Sequence, residues 1–286
     1  MKKIMLCLLA TGMFYCSRAQ VDSASLEKVF GRKGTVQGDV FKVTFPRSDL
    51  KVSINDFTVA PGLALTSWIA FMTMGSQTMM MGDLVMQDDE VSKVVNKLVS
   101  LKLDITAIHN HLVNEKPAIK YLHFSGEGNA IVLAEEIKSV LTLTGTPMTS
   151  PAAPATPPQI DWSGVETLLG NKGKHNGKLL QYSFPRKEKL TESGMEMPPA
   201  IGMATAINFQ MEGDKAGITG DFVLLPEEVN PVVKALTENG IAVTAIHNHM
   251  LFDNPRLFML HFWAVDDPGK LAAGLKAALD KTNSKR

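Results

Sequence analysis

The sequence predicts an α+β protein made of two tandem homologous repeats, each a mainly antiparallel sheet with two helices packed on it. Three observations carry this expectation. The first is internal repetition: Gly31-x-Lys33-Gly34 recurs as Gly170-x-Lys172-Gly173 and Phe45-Pro46-Arg47 as Phe184-Pro185-Arg186, at an offset of 139. After a one-residue gap, Pro61, Phe71 and Gly82-Asp83 recur as Pro199, Phe209 and Gly220-Asp221, at an offset of 138. The second is the order of periodicities inside each copy, strands before a helix, then a hairpin, then a helix, which suits helices covering one face of a sheet. The third is the proline- and alanine-rich stretch 149–159, which cannot hold a sheet or helix and reads as an extended spacer.

Taken in chain order, residues 1–19 read as a secretory signal. Lys2 and Lys3 precede an apolar run over residues 4–15, and Ser17 and Ala19 sit at the −3 and −1 positions of a cut before Gln20. That run is too short to span a hydrocarbon core of about 30 Å as a helix. Met13-Phe14-Tyr15-Cys16 is a poor lipid-attachment site. The expectation is therefore an exported protein, periplasmic or secreted, with no lipid anchor and no transmembrane segment in the mature chain. The repeats then occupy residues 20–148 and 160–286.

Each repeat is expected to open on strands, at residues 40–45, 63–74 and 78–86 and their counterparts 179–184, 201–211 and 217–225. A helix follows in each. Val91, Val94, Val95 and Leu98 recur at i, i+3, i+4 and i+7 behind Asp88, Asp89 and Glu90. Val229, Val232, Val233 and Leu236 repeat the spacing, with Gly240 as a stop and Pro231 placed in the first turn, where its missing N–H costs little. A hairpin and a closing helix, residues 130–141 and 269–279, complete each unit.

Composition narrows the function. With 45% hydrophobic residues the chain has a core to bury, and its formal charge of +0 gives no electrostatic footprint for nucleic acid. Both cysteines, Cys7 and Cys16, fall in the segment to be removed, so disulfides, thiolate catalysis and cysteine-ligated zinc are excluded.

Six of the seven histidines form two copies of one pattern: His109-x-His111 with His123 twelve positions on, and His247-x-His249 with His261. Side chains alternate along a strand, so His109 and His111 share a face, with Ile105 and Ala107, while Thr106 points away. In a hairpin register pairing odd with odd positions, His123 joins them, and the same logic unites His247, His249 and His261. Three imidazoles with a fourth position open to water or substrate make a zinc-type site, so a divalent transition metal, zinc first, is the expected cofactor of one or both triads. Only neutral imidazole ligates, so such binding is expected to weaken below about pH 6.5. Glu115 and Asp253 stand at the same place in the two copies and are the candidate fourth ligand or general base, which would make a metal-dependent hydrolase the simplest enzyme class. The alternative is a metal-free module binding a small molecule or cell-envelope component, its histidines structural.

Weaker candidates exist. Arg47 and Arg186 could grip a substrate carboxylate or phosphate, although an Arg closing a strand is more often ion-paired. Met72, Met74, Met79, Met80, Met81 and Met86 could hold Cu(I), but core packing suits them better, since the second copy has Gln210, Glu212, Gly217, Ile218, Thr219 and Leu224 there. The turns at Gly31 and Gly170 lack the GxxxxGK[ST] spacing of a phosphate loop, and no G-x-S-x-G or HExxH motif is present.

At the His-Asn-His blocks and the Leu-His-Phe that follows each, the chain resembles a bacterial exported family of unknown function that includes the mycobacterial lipoproteins LppY and LpqO. The resemblance covers nearly the whole mature chain in two copies and implies export; it implies no activity.

Overall fold

The computed structural model describes residues 21–149 and 159–286. The expected signal segment and residues 150–158 of the expected spacer lie outside them. In the first repeat the order is α1 (Ser23–Phe30), β1 (Thr35–Gln37), β2 (Val40–Pro46), β3 (Val52–Ile54), β4 (Phe57–Val59), β5 (Thr66–Met74), β6 (Gln77–Gln87), α2 (Asp88–Ser100), β7 (Asp104–His109), β8 (Ile119–Gly128) and α3 (Ala130–Leu141). The second repeats it as α4 (Ser163–Leu169), β9 (Lys174–Asn176), β10 (Leu179–Pro185), β11 (Thr191–Glu192), β12 (Met195–Glu196), β13 (Ala204–Glu212), β14 (Lys215–Leu224), α5 (Pro226–Glu238), β15 (Ala242–His247), β16 (Asp253–Asn254), β17 (Phe258–Asp266) and α6 (Pro268–Leu279).

The α+β expectation holds, with one addition. Each repeat opens on a short helix, α1 or α4, so three helices rather than two cover its sheet. At eight and seven residues these helices carry little period to read, and packing makes them: Leu26 and Phe30 are buried in the first, Val165 and Leu169 in the second. Gly31 and Gly170 end them in the left-handed conformation that glycine tolerates, which makes the glycine-lysine turns C-caps. A second difference concerns Pro231. Pro226 starts α5 a full turn earlier, so Pro231 sits inside the helix.

Each repeat forms a six-stranded antiparallel sheet, in the order β1-β2-β5-β6-β8-β7 and its counterpart β9-β10-β13-β14-β17-β15. Alternation gives each sheet two apolar faces. Phe41, Val43, Phe45, Ile69, Phe71, Leu122 and Phe124 point to the helices and pack with Leu26, Val94, Leu98 and Ile137. The opposite face turns toward the other repeat. Val40, Ala70, Met72, Met79 and Met81 meet Met197, Met203, Met250 and Met259 there. The molecule is thus four layers, helices, sheet, sheet, helices, related by a pseudo-twofold axis between the sheets. Methionine fills the irregular gap at their junction, as expected of its flexible side chain. Each repeat also extends an arm across the axis: Phe57 on the β3–β4 hairpin packs on Trp263 and Thr58 O accepts from Gln210 Nε2 at 2.7 Å, while Leu190, Met197 and Ile201 of the second repeat join Val40 and Met72 of the first.

Arg47 and Arg186 do not face any ligand space. Both side chains are 0% exposed. Arg47 donates to Val85 O at 2.7 Å and Glu90 Oε2 at 2.8 Å, and Arg186 to Val223 O at 2.7 Å and Glu228 Oε2 at 2.6 Å. The guanidinium fork turns inward because the end of the strand before the next helix, the first turn of that helix and the carboxylate two residues on, Asp49 or Glu188, all present acceptors there. Glu90 and Glu228 in turn accept the N–H of Gly145 and Asn283.

Candidate metal centre

Three local features aim the histidines into the space between the sheets. On β8, Tyr121 and His123 take the inner face while Leu122 and Phe124 enter the helix-side core. On β7 the register with β8 shifts between Ile105 and Ala107, leaving Ala107 opposite His123 and His109 opposite Tyr121. Pairing is therefore odd with odd, as expected, but the bulge at Thr106 sends Ile105 to the helix side instead of the histidine face. Past the strand end, His111 follows from the loop. The second repeat copies all three features, with its bulge between Val243 and Ala245.

The bulges also lock the halves together. Thr106 Oγ1 donates to His249 O and Thr244 Oγ1 to His111 O, each at 2.7 Å. As a result the two expected triads are not separate sites. They merge into one cluster of six rings on the pseudo-axis, whose shortest separations cross between repeats: His109 to His247 at 3.6 Å between ring centroids, His111 to His261 at 3.8 Å and His123 to His249 at 4.0 Å. Within a repeat the rings are farther apart, 4.8 Å for His109 and His123 and for His247 and His261. Three sets of ligand atoms lie within 4.8 Å of one another, His109/His111/His261, His109/His123/His247 and Asp221/His247/His261, and every one draws on both repeats or on Asp221. His175, the seventh histidine, pairs with Glu166 outside the cluster.

Glu115 and Asp253 are not in these sets. Glu115 Oε1 accepts the Ile119 N–H at 3.0 Å, while Asp253 accepts from Leu257 N–H and, at 2.9 Å, from Arg256 Nη1. Four residues of loop suffice to turn each carboxylate back on its own backbone, so both are loop caps. The carboxylates beside the rings are Asp83 and Asp221, directly opposite His123 and His261 in the sheet registers. Asp221 Oδ2 is 2.9 Å from His249 Nε2 and Asp83 Oδ2 is 3.4 Å from His111 Nε2. The visible signal for them was the Gly-Asp pair present in both copies.

The electrostatics favour neutral rings. Burial, then the neighbouring rings, hold His109 down to about 3 and push His111, His123 and His247 well below the ordinary imidazole value. These four rings therefore stay in their ligating form at pH values well under 6.5. Burial and then Asp221 push Asp83 well above the usual carboxylate range, whereas in Asp221 the pull of His261 and His249 overcomes burial and lowers it. His261 Nδ1 donates to Gly220 O at 2.7 Å and His247 Nδ1 to Asn248 O at 3.2 Å, which leaves Nε2 of both rings as the lone-pair atom.

Among the described residues, seven buried ring nitrogens have no polar partner, both of His109 and His123, Nδ1 of His249, and Nε2 of His247 and His261, while Nε2 of His111 and His249 meet only the two aspartates. At about 1–3 kcal/mol for each unpaired buried polar group, such a set would cancel an ordinary folding stability of about 5–15 kcal/mol. A cation that accepts these lone pairs fits this donor set, and imidazole with carboxylate is the chemistry of zinc and its neighbours. A cavity of about 300 Å³ opens beside the cluster, floored by His111, His123, His249 and His261 and reaching Lys42 and Gln181. Burial pushes the Lys42 ammonium down to about 8 against the pull of Asp83.

Comparison with known proteins gives a family and little else. A family described as Domain of Unknown Function (DUF1259) matches residues 24–143 and again residues 163–281. No curated protein matches significantly. Among solved structures, a trimeric bacterial microcompartment shell protein, PduB, aligns over 86% of this chain and 87% of its own at 13% identity, with a TM-score of 0.21. No described helix is long and apolar enough to cross a membrane.

Proposed function

The chain belongs to the DUF1259 family, in two tandem copies of the domain, and we propose that it is an exported protein holding a divalent transition metal, zinc first, in the histidine cluster between those copies. The single observation that carries this is the convergence of six buried or half-buried imidazoles, most with unpartnered nitrogens, beside two aspartates. Any two of the three candidate ligand sets share a histidine. Filling two at once would need a bridging imidazolate, so the proposal is one ion per chain. The basic start and apolar run of residues 1–19 support export, as does the likeness to the LppY and LpqO lipoproteins.

The ion would activate or polarise whatever oxygen ligand reaches it through the cavity, which keeps a hydrolase within the reading. Any base for it would be Asp83 or Asp221, not Glu115 or Asp253.

Metal analysis of protein purified without a histidine tag tests the reading. The expected result is zinc near one equivalent, lost in His247→Ala/His261→Ala, which removes a ligand from each of the three sets. Trace metal that this variant does not change would reject the site.

A further inference from the structure

The cavity beside the histidines straddles the pseudo-axis, so most positions on its wall have a counterpart from the other repeat. On the buried floor the counterparts are identical: Asp83 and Asp221, His111 and His249, His123 and His261. Toward the more exposed end they differ. Lys42 corresponds to Gln181, Trp68 to Ala206 and Thr66 to Ala204. The Trp68 ring lies over Gly202, where an added Cβ would come within 2.9 Å of the indole, and Ala206 in place of a second tryptophan leaves room on the facing wall. Lys42 Nζ rests 3.9 Å from the centre of the Trp68 ring, so one wall is cationic and aromatic and the other small and amide-bearing. Thr219 is 2% exposed and lines the same space, yet its hydroxyl has no partner among the described residues.

We propose that this cavity binds a small molecule bearing one carboxylate, with Lys42 as counter-charge, Thr219 and Asn208 as hydrogen-bond partners, Trp68 as an apolar wall, and the far end of the molecule at the histidine floor. Asn208 is oriented by Gln181 Nε2, which donates to its Oδ1 at 3.1 Å. A single ammonium matches a monoanion, and the Asp221 carboxylate on the floor opposes a doubly charged phosphate. A cavity of about 300 Å³ is at the small end of ligand sites. The proposal rests on the metal reading only for what the far end meets.

Calorimetric titration of the purified chain with pyruvate, benzoate and inorganic phosphate tests it, with metal content measured on the same samples. The expected result is one site for pyruvate or benzoate, weakened about tenfold or more in Lys42→Gln and lost in Ala206→Trp, with metal content unchanged in both variants. Binding of neither carboxylate, a preference for phosphate over both, or affinities untouched by both substitutions would overturn it. Carboxylate binding that survives in protein holding no metal would support the cavity and retire the metal reading; full metal content without carboxylate binding would do the reverse.

Discussion

At the scale of single residues, close approach decides which side chains the site can use. Gly220 precedes Asp221 because a Cβ there would lie 2.0 Å from Ala206 O on the neighbouring strand, and the carbonyl of Gly220 orients His261. Gly220→Ala should therefore destabilise by about 1–3 kcal/mol, read from the urea midpoint at unchanged slope; an unchanged midpoint would contradict the packing described. The buried Arg186 network predicts a pH signature. Burial raises the Glu188 carboxyl, but hydrogen bonds from Arg186 and Asn283 and the charge of Arg186 outweigh it and hold the group from 4.5 down to about 2. A carboxylate lowered by folding contributes stability that is complete above its unfolded pKa and is lost as the pH falls through the folded value. Glu188→Gln should thus melt below wild type at pH 7, with the gap closing between about pH 4.5 and 2; a gap independent of pH would exclude the ion pair as its cause. The six histidines were legible from spacing alone. Glu115, Asp253, Arg47 and Arg186 misled because a charged side chain near a motif in sequence can find acceptors or donors in its own backbone or strand end.

At the scale of elements, the long strands and the 3.6-residue helices were readable to within a few residues, since apolar period and burial agree over ten or more positions. What could not be read were α1 and α4, too short for a period, and the β7 and β15 bulges, which follow from contacts made across the pseudo-axis. Those bulges give Thr106 and Thr244 a role no sequence pattern announced: each spans to the backbone of the other repeat at a histidine. Thr106→Val and Thr244→Val should each cost about 1 kcal/mol, with serine retaining the hydroxyl and most of the stability. Equal stability of valine and serine variants would show that the cross-links contribute nothing.

At the scale of the whole molecule, duplication predicted two sites and the four-layer packing makes one. Each sheet is apolar on both faces, so neither repeat buries its inner face without the other, and the histidines occupy the polar centre of that shared face between the methionine-rich core and the crossing arms. The repeats are thus two halves of one histidine cluster. Only the way the copies pack on each other decides this, and no spacing within either copy encodes it. The direct measurement is a cobalt(II) titration of metal-free protein followed by visible absorption. The account predicts a break at one equivalent per chain and loss of the signal when His247 and His261 alone, which between them belong to all three ligand sets, are replaced by alanine. A break at two equivalents, halved rather than abolished by that change, would contradict it.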